Sequence, residues 1–324
     1  MKLNNILSIQ KNKKHKTFIR MICVWIALLF GYYYVRFISN PNLEPRENLI
    51  PEIINGTAKI DYIYSMYIMV KCYLILKSIG ISSSLSFALI DFAGISFLVF
   101  SAYWFLKEYT DRFSSQILAI LWLLGTTPLL FKRHFYHPSD FYGVGIMFFI
   151  LLTGMKEKYI KVACLCFLSG FLWEKAIFVP VILFIYYVFK NGLKNASIIS
   201  LPIVIGTLIP FLTWRYLFFK SSRILAFSSW DNFFSTIPSA SIEWFIWTSP
   251  IIVIFYDIIA NKRNIKMYWF VWMIYLPLIL SVYFIYKGIL IELRSFWILQ
   301  PIFMGIIVNW ADVTFSKIDK INET

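Results

Sequence analysis

Apolar runs long enough to cross a membrane recur along almost the whole chain. A transmembrane helix needs about twenty apolar residues to span a hydrocarbon core about 30 Å thick. Within lipid, every backbone polar group needs a partner from the protein itself, which a helix provides. The sequence therefore predicts an all-α, polytopic membrane bundle of about ten transmembrane helices. The candidate spans are 19–38, 85–106, 114–131, 140–155, 160–173, 176–189, 198–218, 242–260, 267–286 and 295–311.

The amino-acid composition predicts the same class of protein. Of the 324 residues, 59% are hydrophobic and only 15% are charged, whereas soluble domains carry about 25% charged residues. Charge this sparse cannot cover a soluble globule of this length, so membrane lipids are the expected surroundings. We expect one transmembrane domain over residues 19–311, preceded by a basic cytoplasmic tail, 1–18, and followed by a second cytoplasmic tail, 312–324.

The net charge of +14 does not indicate a nucleic-acid partner. Basic residues are grouped before the first span and between later ones, and no basic patch alternates with aromatic residues as on a nucleic-acid-binding surface. With ten spans, more than half of the 31 Lys and Arg residues fall on the side of the two termini. The positive-inside rule then places both termini in the cytoplasm. The first span lacks a small-residue cleavage site and is interpreted as a retained signal-anchor.

The segment after the first span can be read either as a surface helix or as a transmembrane helix. Residues 62–80 are apolar but contain Lys71 and Lys77. We interpret them as an amphipathic helix that lies on the membrane surface, within an outer loop over residues 39–84. The alternative is a further transmembrane span, which would reverse the orientation of every later helix.

A second segment is too long and too interrupted for a single span. Residues 160–189 are apolar except for Glu174 and Lys175 near their centre. A single helix would carry both charges to the middle of the bilayer, which is costly. We therefore predict a hairpin of two short legs, each about 21 Å long at 1.5 Å per residue. Legs of this length do not reach across an average bilayer, so the charged turn should be sunken below the outer surface.

Acidic and basic residues lie side by side at the outer ends of several predicted spans. Ionisable residues near membrane depth are candidates for function; the alternative is that they pair with each other and hold the bundle together. A carboxylate beside an outer cavity can act as general base on an acceptor hydroxyl, and Arg or Lys can hold a phosphate. The candidate catalytic residues are Glu44, Glu47, Asp140 and Glu174, and the candidate substrate-binding residues are Arg46, Arg133, His137, Lys175, Glu292 and Arg294.

The order of these segments resembles that of the GT-C superfamily of membrane glycosyltransferases over about residues 20–190 and 288–305. In that family a first span is followed by an outer loop with a catalytic carboxylate, amphipathic helices and further spans. The segment FLWEKAIF (171–178) looks like a short pair of helices in that fold. Together with PRENLIP (45–51) and IELRSFWILQP (291–301), it is also similar to elements of an uncharacterised group of bacterial membrane proteins.

The resemblance implies an enzyme of the bacterial cytoplasmic membrane. Such an enzyme would transfer a sugar from a polyprenyl-phosphate-linked donor to an acceptor at the extracytoplasmic face, with Glu44 or Glu47 in the place of the family's base. The chain departs from the family in carrying Glu rather than Asp after the first span, and in lacking the soluble outer domain of many members.

Two other functions are weighed against the transferase. A polysaccharide polymerase of the O-antigen type would share the donor, but the large outer loop usual in such proteins is missing. A lipid-linked sugar flippase would transport without transferring, and transporters tend to show repeated halves, which are not visible here. No cofactor is expected. His134, His137 and Asp140 have a spacing that could hold a divalent ion, although a helix cap or phosphate contact is the favoured use.

Overall fold

The described part of the chain is entirely helical. The computed structural model describes residues 20, 22–31, 63–131, 138–218 and 300–322, with a few isolated residues between 245 and 256. No strand occurs within these residues, which confirms the predicted all-α class. The helices are α1 (Ile22–Gly31), α2 (Ile63–Ser78), α3 (Ser83–Leu106), α4 (Phe113–Phe131), α5 (Pro138–Met155), α6 (Tyr159–Leu172), a 3-10 helix (Glu174–Phe178), α7 (Val179–Asn191), α8 (Leu193–Phe218) and α9 (Gln300–Asn322).

Fewer helices than predicted have the length of a membrane span. Among the described residues, two helical segments are long and apolar enough to cross a membrane, against the predicted number of about ten. They are Ser83–Leu106, which is α3, and Leu193–Thr213, within α8. The other apolar segments with described side chains are 10–17 residues long, among them Phe113–Thr127 within α4 and Asp140–Met155 within α5. The predicted spans 242–260 and 267–286 lie almost entirely outside the described residues.

Helices α3 and α5 run in the same direction and pack closely, because glycines on each receive aromatic rings from the other. A Cβ at Gly94 would lie 2.9 Å from Cε2 of Tyr142, and a Cβ at Gly145 would lie 2.5 Å from Cδ1 of Phe97. Helices α6 and α8 also run in the same direction and pack closely, because a Cβ at Gly206 would lie 2.7 Å from a backbone oxygen of α6. Small residues at helix interfaces allow this close approach in membrane bundles.

Three turns and the last part of α9 meet at one end of the bundle, which we call the ion-paired end: residues 107–112, 156–158, 190–192 and 312–319. The predicted cytoplasmic segments that the structure describes lie together at this end, and their location relative to a membrane stays a prediction. The opposite end, with the turns 79–82 and 173–178, is called the far end. The ion pairs that join the first set of turns are Lys156–Glu108 (Nζ–Oε1 2.6 Å), Lys190–Glu157 (Nζ–Oε1 2.9 Å), Arg112–Asp312 (Nε–Oδ1 3.2 Å) and Arg112–Asp319.

The C-terminal segment, for which the sequence predicts only a cytoplasmic tail, is a helix. Helix α9 continues through the predicted tail as far as Asn322. Three of its residues, Asp312, Ser316 and Asp319, recur on one face and receive the guanidinium of Arg112. The cytoplasmic location of residues 312–324 stays a prediction.

Helix α2 confirms a helix over most of residues 62–80, but its faces are not segregated as an amphipathic helix requires. Lys71 and Ser78 are exposed as expected, yet Ile75 shares their face and is 62% exposed. The helix packs against α3, α5, α6 and α8 rather than along one partner. At its C-terminal half, Tyr73 stacks on Phe87 with ring centroids 4.9 Å apart. The choice between a surface helix and a span stays a prediction.

The predicted hairpin over residues 160–189 is confirmed. Helix α6 has 14 residues and α7 has 13, and the 3-10 helix with Glu174 and Lys175 lies between them. The legs are antiparallel, since the rings of Tyr159 and Tyr187 meet with centroids 5.5 Å apart. Helix α8 packs beside Gly170 through Pro210 and continues for about eight further residues, or about 12 Å. The turn therefore lies below the end of α8, as the shortness of the legs predicts.

Candidate functional site

The break between α6 and α7 is produced by the backbone of Trp173. Its φ of −155° and ψ of 116° are extended, so α6 stops there, and its N–H donates to the carbonyl oxygen of Ser169 at 2.9 Å. The 3-10 helix restarts at once, with the N–H of Ala176 donating to the carbonyl oxygen of Trp173 at 3.1 Å. A proline at the start of α7 suits the first helical turn, where no backbone donor is needed.

The turn is fixed by buried side chains on both sides of its charged pair. Trp173 is 1% exposed, and Ala176 and Phe178 are equally buried beyond it. Of the residues between, Glu174 and Lys175, the backbone alone is described. The two charged residues are thus held on a short segment whose flanks are anchored in the bundle.

A hydrogen bond joins this turn to the start of α5. The indole Nε1–H of Trp173 donates to Oδ1 of Asp140 at 2.8 Å, and Asp140 is 4% exposed. A buried tryptophan needs an acceptor for its N–H, and a buried carboxylate needs donors. Asp140 also lies in the first turn of α5, where the helix dipole favours negative charge. This bond gives the indole N–H an acceptor and Oδ1 of Asp140 a donor, and it ties α5 to the end of α6.

Gly143 makes room for the indole ring one turn further along α5. A Cβ at Gly143 would lie 2.2 Å from Cγ and 2.3 Å from Cδ2 of Trp173. Any side chain at this position would displace the ring and with it the hydrogen bond to Asp140.

Trp173 and Gly143 were not among the residues selected from the sequence. The available signal was a tryptophan placed directly before Glu174 and Lys175, at the point where two short helices have to break.

A second buried carboxylate lies at nearly the same depth. Asp91 of α3 is 2% exposed, and next to it the carbonyl oxygen of Ile90 accepts a hydrogen bond from the hydroxyl of Tyr142 at 2.9 Å. Because α3 and α5 run in parallel and meet at Gly94, Asp91 and Asp140 lie at similar levels in the bundle. The far end thus has a buried polar layer directly beneath its turns.

Three of the residues selected from the sequence lie in described segments: Asp140, Glu174 and Lys175. Asp140 lies against Trp173, and Glu174 and Lys175 follow Trp173 in the chain. The other selected residues lie outside the described residues: Glu44, Arg46, Glu47, Arg133, His134, His137, Glu292 and Arg294. Within the described ranges, no group of three His, Cys, Asp or Glu side chains could hold a metal ion.

The ion-paired end has a different character. Arg112 donates through Nη2 to Oγ of Ser316 at 3.0 Å, and Thr110 donates to Oδ1 of Asp312 at 2.7 Å. Hydrogen bonding to Asp319 raises the pKa of the Arg112 guanidinium above its already high usual value, so it stays charged at every accessible pH. These groups are partly or fully exposed and serve each other.

The far end therefore combines the buried hydrogen bond between Asp140 and Trp173 with a short turn whose sequence contains Glu174 and Lys175. The ion-paired end offers charges that are already neutralised by partners. No family model, curated protein or solved structure matches this chain.

Proposed function

We propose that this chain is a polytopic membrane glycosyltransferase with a GT-C-like plan. It would transfer a sugar from a polyprenyl-phosphate donor to an acceptor at the extracytoplasmic face of the bacterial cytoplasmic membrane. The observation that carries the proposal is the turn with Glu174 and Lys175, sunken below the end of α8 and tied to buried Asp140 through Trp173.

A membrane location is supported by apolar side chains that point away from the bundle. Water would penalise each exposed apolar side chain by about 25 cal/mol per Å², whereas lipid would not. On α8 the exposed residues recur every three or four positions, which makes one continuous stripe along the helix. The residues of this stripe are Ile198, Leu201, Ile205, Ile209 and Leu212.

In the proposed orientation, the ion-paired end faces the cytoplasm and the far end faces outward. The ion-paired end has several lysines besides its paired ones, including Lys107, Lys158 and Lys161, as the positive-inside rule requires. The far end then presents Glu174 and Lys175 to the side where polyprenyl-linked sugars are consumed. About ten spans, including those over residues 242–311, belong to this proposal.

The proposed reaction is a displacement at the anomeric carbon of the donor sugar. The acceptor hydroxyl oxygen forms the new bond to that carbon, and the bond from the carbon to the phosphate oxygen breaks. The polyprenyl phosphate leaves with the bonding electron pair, and the hydroxyl proton passes to a carboxylate, either Glu44, Glu47 or Glu174. Lys175 and Arg294 would hold the leaving phosphate, with Arg46, Arg133, His137 and Glu292 as further substrate contacts.

The test is sugar transfer by the purified protein in proteoliposomes that contain a panel of polyprenyl-phosphate hexoses. Combined Glu44→Gln and Glu47→Gln substitution, or Glu174→Gln alone, should lower the rate about 10²–10⁴-fold if the base is removed. Arg294→Ala should instead weaken donor binding, by about 2–5 kcal/mol for a desolvated contact. Glu108→Gln is the matched control, because Glu108 pairs with Lys156 at the ion-paired end.

Two outcomes would contradict the proposal, the first its reaction and the second its site. The first is movement of the lipid-linked sugar between leaflets by the unmutated protein with no transfer, which would favour the flippase. The second is an equal loss of rate in Glu108→Gln and Glu174→Gln, which would remove the distinction between the two ends.

A further inference from the structure

We infer that Asp140 and Trp173 form an anchor that sets the position of the Glu174–Lys175 turn, so that Asp140 is a positioning residue and not the general base. The part that the turn plays in chemistry rests on the proposed function. The anchor itself rests on geometry and can be tested without any sugar substrate.

The first step concerns what holds the turn. Before the charged pair, Trp173 is buried and its Nε1 is 2.8 Å from Oδ1 of Asp140. After it, Ala176 and Phe178 are buried. The polypeptide between these points consists of Glu174 and Lys175 alone, so their backbone is determined by the two flanks. Functional side chains need support of this kind to stay within about 0.5 Å of a productive geometry.

The second step concerns why Asp140 suits an anchor better than a base. A general base must reach the acceptor hydroxyl within about 2.6–3.2 Å. Oδ1 of Asp140 already accepts the indole N–H, and Oδ2 is buried as well, so neither oxygen is exposed to an acceptor hydroxyl. In the first turn of α5 its negative charge is favoured by the helix dipole. These features stabilise the carboxylate as a fixed acceptor.

The third step concerns how finely the ring is placed. Gly143 leaves room for the indole and for nothing more, since a Cβ there would lie 2.7 Å from Cβ and 2.2 Å from Cγ of Trp173. The ring is therefore located by Asp140 at its nitrogen and by Gly143 at its face. Two contacts from one helix fix both the position and the rotation of the ring.

The experiment separates an anchor from a base by comparing two substitutions of Asp140. Asp140→Asn keeps an oxygen that can accept from Trp173, whereas Asp140→Leu removes it. For an anchor, sugar transfer should be at least about tenfold faster in Asp140→Asn than in Asp140→Leu. Equal losses of about 10²–10⁴-fold in both variants would show a base and overturn the inference.

A second arm needs no substrate. Lys175→Cys is introduced after Cys23, Cys72, Cys164 and Cys166 are replaced by alanine, and the rate of maleimide labelling at position 175 is measured in detergent. Trp173→Phe and Asp140→Leu should each raise this rate by about threefold or more, and Asp140→Asn should not. Trp122→Phe is the matched control. Trp122 lies on α4, away from the turn, and its indole N–H donates to Oγ of Ser249 at 3.4 Å.

The two arms distinguish the ways of failing. Unchanged labelling in both Trp173→Phe and Asp140→Leu would overturn the anchor, whatever the activity. Absence of sugar transfer by the unmutated protein, with the labelling differences present, would leave the anchor standing and overturn the transferase.

Discussion

The two ends of the bundle handle polar side chains in opposite ways. At the ion-paired end, acids and bases are exposed or half exposed, and Arg112 alone donates three hydrogen bonds to α9. At the far end, Asp140 and Asp91 are buried within helices, and Asp140 accepts a hydrogen bond from the indole N–H of Trp173. Exposed pairs contribute little each because water and salt screen them, whereas a buried polar group is costly when its partner is lost. The far end is therefore where a single substitution should matter most.

The largest expected effect is on which end reacts with an impermeant reagent. In a background without native cysteines, Lys175→Cys should be labelled from outside intact cells and Lys156→Cys should be labelled only after the cells are broken. The reason is that these residues lie at opposite ends of the bundle and the positive-inside rule places Lys156 in the cytoplasm. Labelling of Lys156→Cys alone from outside would invert the orientation. Asp140→Cys is a poor reporter, since that position is buried.

A smaller effect concerns packing at the far end. Gly143→Ala should lower the free energy of unfolding by about 1–3 kcal/mol, because the new Cβ overlaps the ring of Trp173. Unfolding in detergent by heat or denaturant measures the change. Gly125→Ala is the matched control: a Cβ there meets nothing within 4 Å, and alanine favours the helix by up to about 1 kcal/mol. Equal destabilisation by both substitutions would mean that the ring does not depend on Gly143.

The smallest effect is expected at the ion-paired end. Arg112→Ala removes the partner of Asp312, Ser316 and Asp319. Hydrogen exchange in the last turns of α9 should rise several-fold while the rest of the bundle is unchanged, because these contacts are local and screened. Lys156→Ala, which removes a pair that does not involve α9, should leave that exchange rate as it was. Global unfolding on Arg112→Ala would show that the two ends are less different than we argue.

The fold was predictable from the sequence where a local feature forced it. Glu174 and Lys175 inside an apolar run demanded a break, and the two short legs of the hairpin follow from that demand. No helix was predicted over residues 312–322, because the contact of Arg112 with its polar face joins residues about 200 positions apart in the chain. The amphipathic character of residues 62–80 was overstated. The positions of Lys71 and Lys77 in the sequence do not show that an apolar residue, Ile75, is exposed on the same face of the helix.

The candidate site was predictable only as a set of residue types. Asp140 and Glu174 were selected for their charge and their place at the ends of spans, and the fold does bring their segments together. The roles of Trp173 and Gly143 depend on one ring fitting against one backbone position, which hydropathy and spacing do not encode.

The shortness of α6 has a consequence for the lipid beside it. With 14 residues, the helix is about 21 Å long, against a hydrocarbon thickness of about 30 Å. Ile160, Phe167 and Leu168 are exposed along it, so in the proposed location acyl chains rather than protein would meet this surface. A mismatch of this size is accommodated by local thinning of the bilayer, at fractions of a kcal/mol per Å. Headgroups of the outer leaflet would then dip toward the turn, and a lipid-borne phosphate could meet Lys175 without leaving the membrane.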